Sequence, residues 1–136
     1  MPPHHPASGY RVLATHFDEI LEPLRKPLAA ARRHILFPLL DGLESACDLA
    51  CGTGSTAIEL ARKGLETFAV DLSPVMCRLT RQKARREGVR LRVIRADMRS
   101  FALPRTVDLV LCEGDALNHV PERRDLLRVA RAVRRA

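Results

Sequence analysis

Asp48-Leu49-Ala50-Cys51-Gly52-Thr53-Gly54 is the stretch that decides the fold. It closes a short apolar run over 45–51, and its glycines then force a tight turn. The spacing predicts a strand feeding a turn, then a helix over 55–63 with Ile58, Leu60 and Ala61 as its apolar positions. Gly64 stands where that helix would end. A glycine-rich turn between strand and helix lets a ligand approach the backbone closely, because no Cβ intervenes. Downstream the pattern repeats. A second strand over 67–70 runs into Asp71. Ser73 and Pro74 then read as an N-cap and a first helical proline, opening a helix to about 87 that Gly88 stops. A third strand is expected over 91–96 and a fourth over 107–112. The fourth is apolar at almost every position, as a strand buried on both faces would be. Pro121 is expected to open a final helix with Leu126, Leu127, Ala130 and Val133 on one face. Such alternation means an α/β fold: an open, doubly wound parallel sheet with right-handed crossovers.

Upstream the signal is weaker. Residues 1–9, rich in Pro, His and Gly, read as a flexible tail. Residues 10–44 read as a helical lead-in interrupted near Pro23, Pro27 and Pro38. Residues 45–136 hold the α/β pattern. The 136 residues suit one domain, and 46% hydrophobic residues can build a core.

The net charge is +7, and of the 23 basic residues only Lys26, Lys63 and Lys83 are lysines. That arginine skew touches every segment, so it reads as a codon bias. Arg124, Arg128, Arg131 and Arg135 form a stripe on the last helix, expected to be a solvated face. With no Trp to stack on bases, no specific nucleic-acid partner is expected. No run approaches the ~18 apolar residues of a membrane span, so no membrane partner is expected either. The start has no signal-peptide pattern. The four cysteines form no CxxC pair and have no His at zinc-like spacing, which predicts reduced thiols in a cytoplasmic protein without a metal site.

Two chemistries fit the glycine turn at first. Gly52-x-Gly54-x-x-Ala57 satisfies a dinucleotide fingerprint, in which the turn cradles a pyrophosphate of a nicotinamide cofactor. Asp71, 17 residues beyond Gly54, can accept hydrogen bonds from both hydroxyls of a ribose. Asp97, at the end of strand three, can accept from an adenine amino group, and the Met98 N–H can donate to a ring nitrogen. Asp48 tips the balance: a negative charge beside the turn suits a cationic ligand and repels a pyrophosphate.

The segments DLACGTG (48–54), VDLSPVM (70–76), ADMRSF (96–101) and VDLVLCEGDALNHV (107–120) together resemble the successive motifs of class I S-adenosylmethionine-dependent methyltransferases. The segment CEGDALNHVP is most similar to small-molecule enzymes of the glycine N-methyltransferase-like kind. The resemblance implies S-adenosylmethionine as cofactor and a small-molecule methyl acceptor. It implies that Ala50, Cys51, Gly52, Thr53 and Gly54 hold the methionine part. Asp71 would hold the ribose with Leu72 and Met76 nearby, and Asp97 with Met98 would hold the adenine. Cys112 and Glu113 would lie beside the transferable methyl, and Tyr10 or Phe17 over the cofactor. Ala50 departs from the commoner glycine. Glu113, Asp115 and His119 are the candidate bases. The loop after strand four lacks the Asn/Asp-Pro-Pro-aromatic pattern associated with methylation of adenine or glutamine amino groups.

The family sheet normally has seven strands in the order 3-2-1-4-5-7-6, and this chain is expected to supply 3-2-1-4. An incomplete Rossmann-like sheet is therefore expected, with a bare strand-four edge that would self-associate. A truncated cofactor- or partner-binding fragment without turnover is a further alternative.

Overall fold

The computed structural model describes residues 16–136. Among them, four strands form one parallel sheet in the order β3-β2-β1-β4. The strands are β1 (Ser45–Leu49), β2 (Glu66–Asp71), β3 (Arg92–Arg95) and β4 (Leu109–Leu111). The helices are α1 (Phe17–Ile35), α2 (Ser55–Arg62), α3 (Pro74–Arg86) and α4 (Arg123–Arg135). Every β-to-β step goes through a crossover, and the chain reverses its direction across the sheet between β1 and β4. That reversal opens a crevice at the carboxyl ends of the two strands, where open α/β sheets take their ligands.

β1 is central and wholly buried. Its alternate side chains face opposite layers. Cys47 and Leu49 join Phe68 and Val70 of β2 in a core closed by Phe101, Val120 and, from α4, Val129 and Ala132. Ala46 faces the other layer, where Leu40, Leu60 and Leu65 gather. Burial pushes the Cys47 thiol up to about 12, as suits a packing residue. All four cysteines are free thiols. Ser73 caps α3 as its sequence predicts, accepting from the Met76 N–H at 3.4 Å.

Three expectations are corrected here. First, α1 runs unbroken through Pro23 and Pro27. None of its residues is buried, so water can serve the carbonyls that the prolines leave without a donor. Only Pro38 marks a real change, to a 3-10 turn over Phe37–Leu40. Second, β4 is shorter than 107–112 and only half-buried. Among the described residues its ladder meets β1 alone, at Ala46–Asp48. Before it, the Val107 N–H donates to the Ala136 carbonyl, and the Asp108 carboxylate accepts from the Glu44 and Ser45 amides. Third, the inner face of α4 is Asp125, Val129 and Ala132 with Val133 packed beside them, and of the expected face Leu126, Leu127 and Ala130 point outward. Leu126 and Leu127 are exposed, and Val133 is half-buried. Asp125 turns inward because Arg99 donates to its carboxylate at 2.9 Å. The helix also begins at Arg123, two residues after Pro121.

Candidate active site

The strand ends, the glycine turn and α1 enclose one cleft of about 1110 Å³. This is ample for a nucleoside-sized ligand. Phe17, Asp48, Asp71, Met76, Asp97 and Met98 all line it, though they span 82 residues of sequence (17 to 98). So do Ala50, Cys51, Gly52, Thr53 and Leu72, and on the far side Glu113, Asp115 and His119.

The floor is built by backbone. Cys51 N–H donates to the Val70 carbonyl at 3.0 Å, and Gly54 N–H closes the turn onto the Cys51 carbonyl at 3.0 Å. Asp71 reaches back from β2 and joins two loops: Oδ2 accepts from the Gly52 N–H at 2.9 Å, Oδ1 from the Ser73 N–H at 2.8 Å. Burial pushes its carboxyl above the usual carboxylate range while these amides pull the other way. Thr80 of α3 donates to the Gly52 carbonyl at 2.9 Å. Gly54 sits against that threonine so closely that a Cβ would lie 2.4 Å from its methyl. Gly52 differs: among the described residues nothing lies within 4 Å of where its Cβ would be, so its backbone is open there.

Asp48 is the electrostatic centre of the floor. It is 3% exposed, and Oδ2 accepts from the Ala57 N–H in the first turn of α2 at 3.0 Å. Burial raises its carboxyl to about 7, and the Glu113 charge adds to this; the Ala57 N–H and Arg32 oppose it. The Asp48 carboxylate thus already occupies the positive end of α2, and Asp71 occupies the Gly52 amide. Neither of those two amides is left for a pyrophosphate, and the acidic floor favours a cation.

The roof is built by side chains. Arg32 of α1 reaches Glu113 beyond β4 with its Nε, 2.9 Å from Oε1 and 3.0 Å from Oε2. Its Nη1 lies 3.4 Å from Glu59 of α2. Thr56 donates to the same Glu113 at 3.2 Å. Nearer the other end of α1, Asp18 accepts from Thr53 Oγ1 at 2.7 Å and pairs with Lys83 at 2.6 Å. Arg25 donates to Ser55 at 3.1 Å.

Four expected site residues stand apart from the expectation. Gly54 does not line the cleft: it is the N-cap of α2, packed on Thr80. Cys112 turns away from the cleft into the core around Phe68, because the alternation of β4 points it there. Asp97 is engaged by Arg99, whose Nε and Nη2 both reach it, at 3.0 and 2.6 Å. That guanidinium holds its carboxyl below the usual range. Tyr10 lies outside the described residues. Asp18, Arg25, Arg32, Thr56, Glu59 and Lys83 belong to the site without any signal in the sequence pattern. They pair across separations of 26 to 81 residues, beyond any local motif, apart from Arg25 with Asp18 and with Glu22.

Residues 46–136 match the family model described as "Methyltransferase domain". The chain is 35% identical over 83 residues to the mitochondrial ubiquinone biosynthesis O-methyltransferase of Schizosaccharomyces pombe. That match covers 59% of this chain and 30% of the relative. It is 36% identical over 93 residues to the glycine/sarcosine/dimethylglycine N-methyltransferase of Actinopolyspora halophila, over 62% of this chain and 15% of that protein. An S-adenosylmethionine-dependent methyltransferase from Clostridium acetobutylicum superposes with a TM-score of 0.65 and 26% identity. That superposition covers 81% of this chain and 52% of the other. The chain thus spans a third or less of these two curated relatives, and about half of the structural neighbour.

Proposed function

The chain belongs to the methyltransferase-domain family and has the class I S-adenosylmethionine-dependent fold; from that premise we propose that its cleft binds S-adenosylmethionine and offers the sulfonium methyl to a small molecule. The observation that carries this reading is the acidic floor under an open glycine turn. Asp48, Asp71 and Glu113 converge on one cleft, and two of the amides a pyrophosphate would use, those of Gly52 and Ala57, already serve carboxylates. A cation that also carries a nucleoside fits that donor and acceptor set, and a dinucleotide does not.

S-adenosylmethionine supplies a methyl group on an activated leaving group, so the protein's part is positioning. Asp71 presents carboxylate oxygens to ribose hydroxyls while holding the Gly52 and Ser73 amides. Asp97, steadied by Arg99, and Met98 flank the adenine position. The Gly52 backbone leaves room for the methionine chain, and Asp48 with Glu113 favours its positive charges. Arg25 of α1, which reaches Ser55 at the start of α2, offers a guanidinium to a carboxylate. Proximity and orientation of this kind supply roughly 7–11 kcal/mol of rate acceleration. Where the acceptor arrives protonated, Asp115 or His119 serves as base, since both Glu113 oxygens accept from Arg32. The cytoplasm, where the cofactor is made and thiols stay reduced, is the proposed location. Self-association through the open edge of β4 is part of the same proposal, read by light scattering of the protein in solution.

Calorimetric titration with S-adenosylhomocysteine tests the reading. Binding in the micromolar range is expected, and Asp71→Ala should weaken it at least about 100-fold, because charged hydrogen bonds to ribose and turn are lost together. A folded protein that ignores S-adenosylhomocysteine but quenches or enhances NADH fluorescence would instead favour the dinucleotide reading.

A further inference from the structure

Lys83 joins three separate pieces of the cleft. Its side chain is 12% exposed. Its Nζ lies 2.6 Å from Asp18 Oδ2, and it donates to Thr53 Oγ1 at 3.0 Å and Ser55 Oγ at 3.1 Å. An ammonium has three protons to donate, and here three acceptors converge on it. They come from α1, from the glycine turn and from the first turn of α2. Asp18 completes the ring, because its other oxygen accepts from Thr53 Oγ1 at 2.7 Å. Asp18, Thr53 and Ser55 line the cleft, and Lys83 stands behind them.

The sequence makes this lysine conspicuous. Twenty of the 23 basic residues are arginines. A compact, tetrahedral donor is what the three converging acceptors require, and a planar guanidinium directs its N–H groups differently.

α1 depends on such contacts. None of its 19 residues is buried, and Ile20 and Leu24 are more than half exposed. Its polar ties to the sheet layers are ion pairs and hydrogen bonds: Asp18 to Lys83 and Thr53 near one end, Arg25 to Ser55, and Arg32 and Arg33 to Glu59 and Glu113 near the other. The cleft lies beneath it, with Phe17, Leu21 and Ala29 among the residues that face it.

We propose that Lys83 is a positioning residue for the cofactor cleft: by pinning Asp18 against Thr53 and Ser55, it sets how often α1 lifts and how long a bound cofactor stays. The effect on cofactor residence rests on the reading of the cleft given above; the pinning of α1 does not.

The experiment compares wild type, Lys83→Met, Lys83→Arg and the reciprocal pair Asp18→Lys with Lys83→Glu. Hydrogen exchange of the ligand-free proteins is measured alongside stopped-flow dissociation of S-adenosylhomocysteine. For Lys83→Met, α1 amides should exchange about tenfold faster while β1 and β2 amides hold, since opening is local. Dissociation should be about tenfold faster, with association changed less than about threefold. Lys83→Arg should fall between. The reciprocal pair should restore both readouts to within about threefold, because the exchanged charges still attract and the carboxylate brought onto α3 accepts from both hydroxyls. The proposal is overturned if Lys83→Met leaves both readouts within about twofold of wild type. It is overturned as well if protection is lost across the whole sheet, or if the reciprocal pair restores neither readout. A wild-type protein that binds no S-adenosylhomocysteine would sink the cofactor reading, and ligand-free exchange would still decide the pinning role.

Discussion

The two walls of the cleft are built by different physics. The floor is β1, β2 and the glycine turn, where amides and carbonyls lock to one another, to the buried Asp48 carboxylate and to the half-buried Asp71 carboxylate. The roof is α1, which buries no residue and is held by long side chains. Backbone bonds inside a packed core resist both salt and local opening. Part-exposed ion pairs are screened by salt and contribute little each. The molecule therefore presents a rigid template under a cover that can be released. Changes to the floor should cost global stability, and changes to the roof should alter access.

Gly54 is the harshest test of the floor. Alanine there would place a methyl 2.4 Å from Thr80 Cγ2, at a φ of +82°. Overpacking and the left-handed backbone together should cost about 2–5 kcal/mol in urea denaturation. Gly52→Ala is the matched control. Its φ is also positive, yet its methyl meets nothing, so it should lose only about 1–2 kcal/mol while obstructing the cleft and weakening cofactor binding. Equal stability losses for the two would show that the turn is not packed as described.

Asp48 gives the floor a pH signature. Its folded carboxyl sits near 7, above the unfolded value, so the folded state holds a proton that the unfolded chain has released. Its contribution is therefore full at about pH 4 and is lost as pH rises to about 7, at up to about 1.4 kcal/mol per pH unit. Asp48→Asn keeps an acceptor for the Ala57 N–H and carries no charge. Relative to wild type it should gain about 2–4 kcal/mol between pH 4 and 7.5, read from denaturation midpoints. Asp18, Asp97 and Asp108 have lowered values, so their contributions fade only as pH falls through the acid range, outside this window. A difference between variant and wild type that stays flat with pH would remove Asp48 from its assigned place.

Arg32 tests the roof. Its guanidinium serves Glu113 and Glu59, and its side chain is 15% exposed. Arg32→Met should cost about 1–3 kcal/mol, between the values for exposed and for buried pairs. Losing the cation should also raise the Asp48 carboxyl further and shift the pH window just described. If 1 M salt costs the wild type as much as this substitution does, the pair is solvent-screened. A smaller salt effect would mean the cleft shields it.

What can be read from sequence follows the same division. The floor depends on contacts within one β-turn-α unit and on strand ends, so DLACGTG, Asp71 and Asp97 disclose it. The parallel sheet follows from alternation, and its strand order from the family resemblance. The roof depends on Asp18, Arg32 and Lys83 meeting partners on other elements 27 to 81 residues away, which no periodicity encodes. The face of α4 departs from its apolar pattern for a related reason: its leucines are more apolar than Asp125, but Arg99 draws Asp125 inward. Cys112 and Glu113 are both expected in the site after strand four, yet strand alternation sends only Glu113 there.

Ala50 supplies the smallest and most discriminating change to the floor. It follows β1 with a φ of +59°, a left-handed conformation in a residue that carries a Cβ. The bonds around it hold it there, since the Cys51 N–H must reach the Val70 carbonyl and Asp71 must reach Gly52. Such a residue costs roughly 1–2 kcal/mol in the folded state. Glycine would relieve that strain but would also loosen the unfolded chain, an opposing effect of about 0.4–1 kcal/mol. Ala50→Gly should thus gain about 0.5–1 kcal/mol, seen as a higher urea midpoint at unchanged slope. Cofactor affinity should stay within about twofold, because the turn already holds the conformation that glycine prefers. A loss of stability instead would mean that the Ala50 methyl packs against the cleft wall strongly enough to offset its backbone.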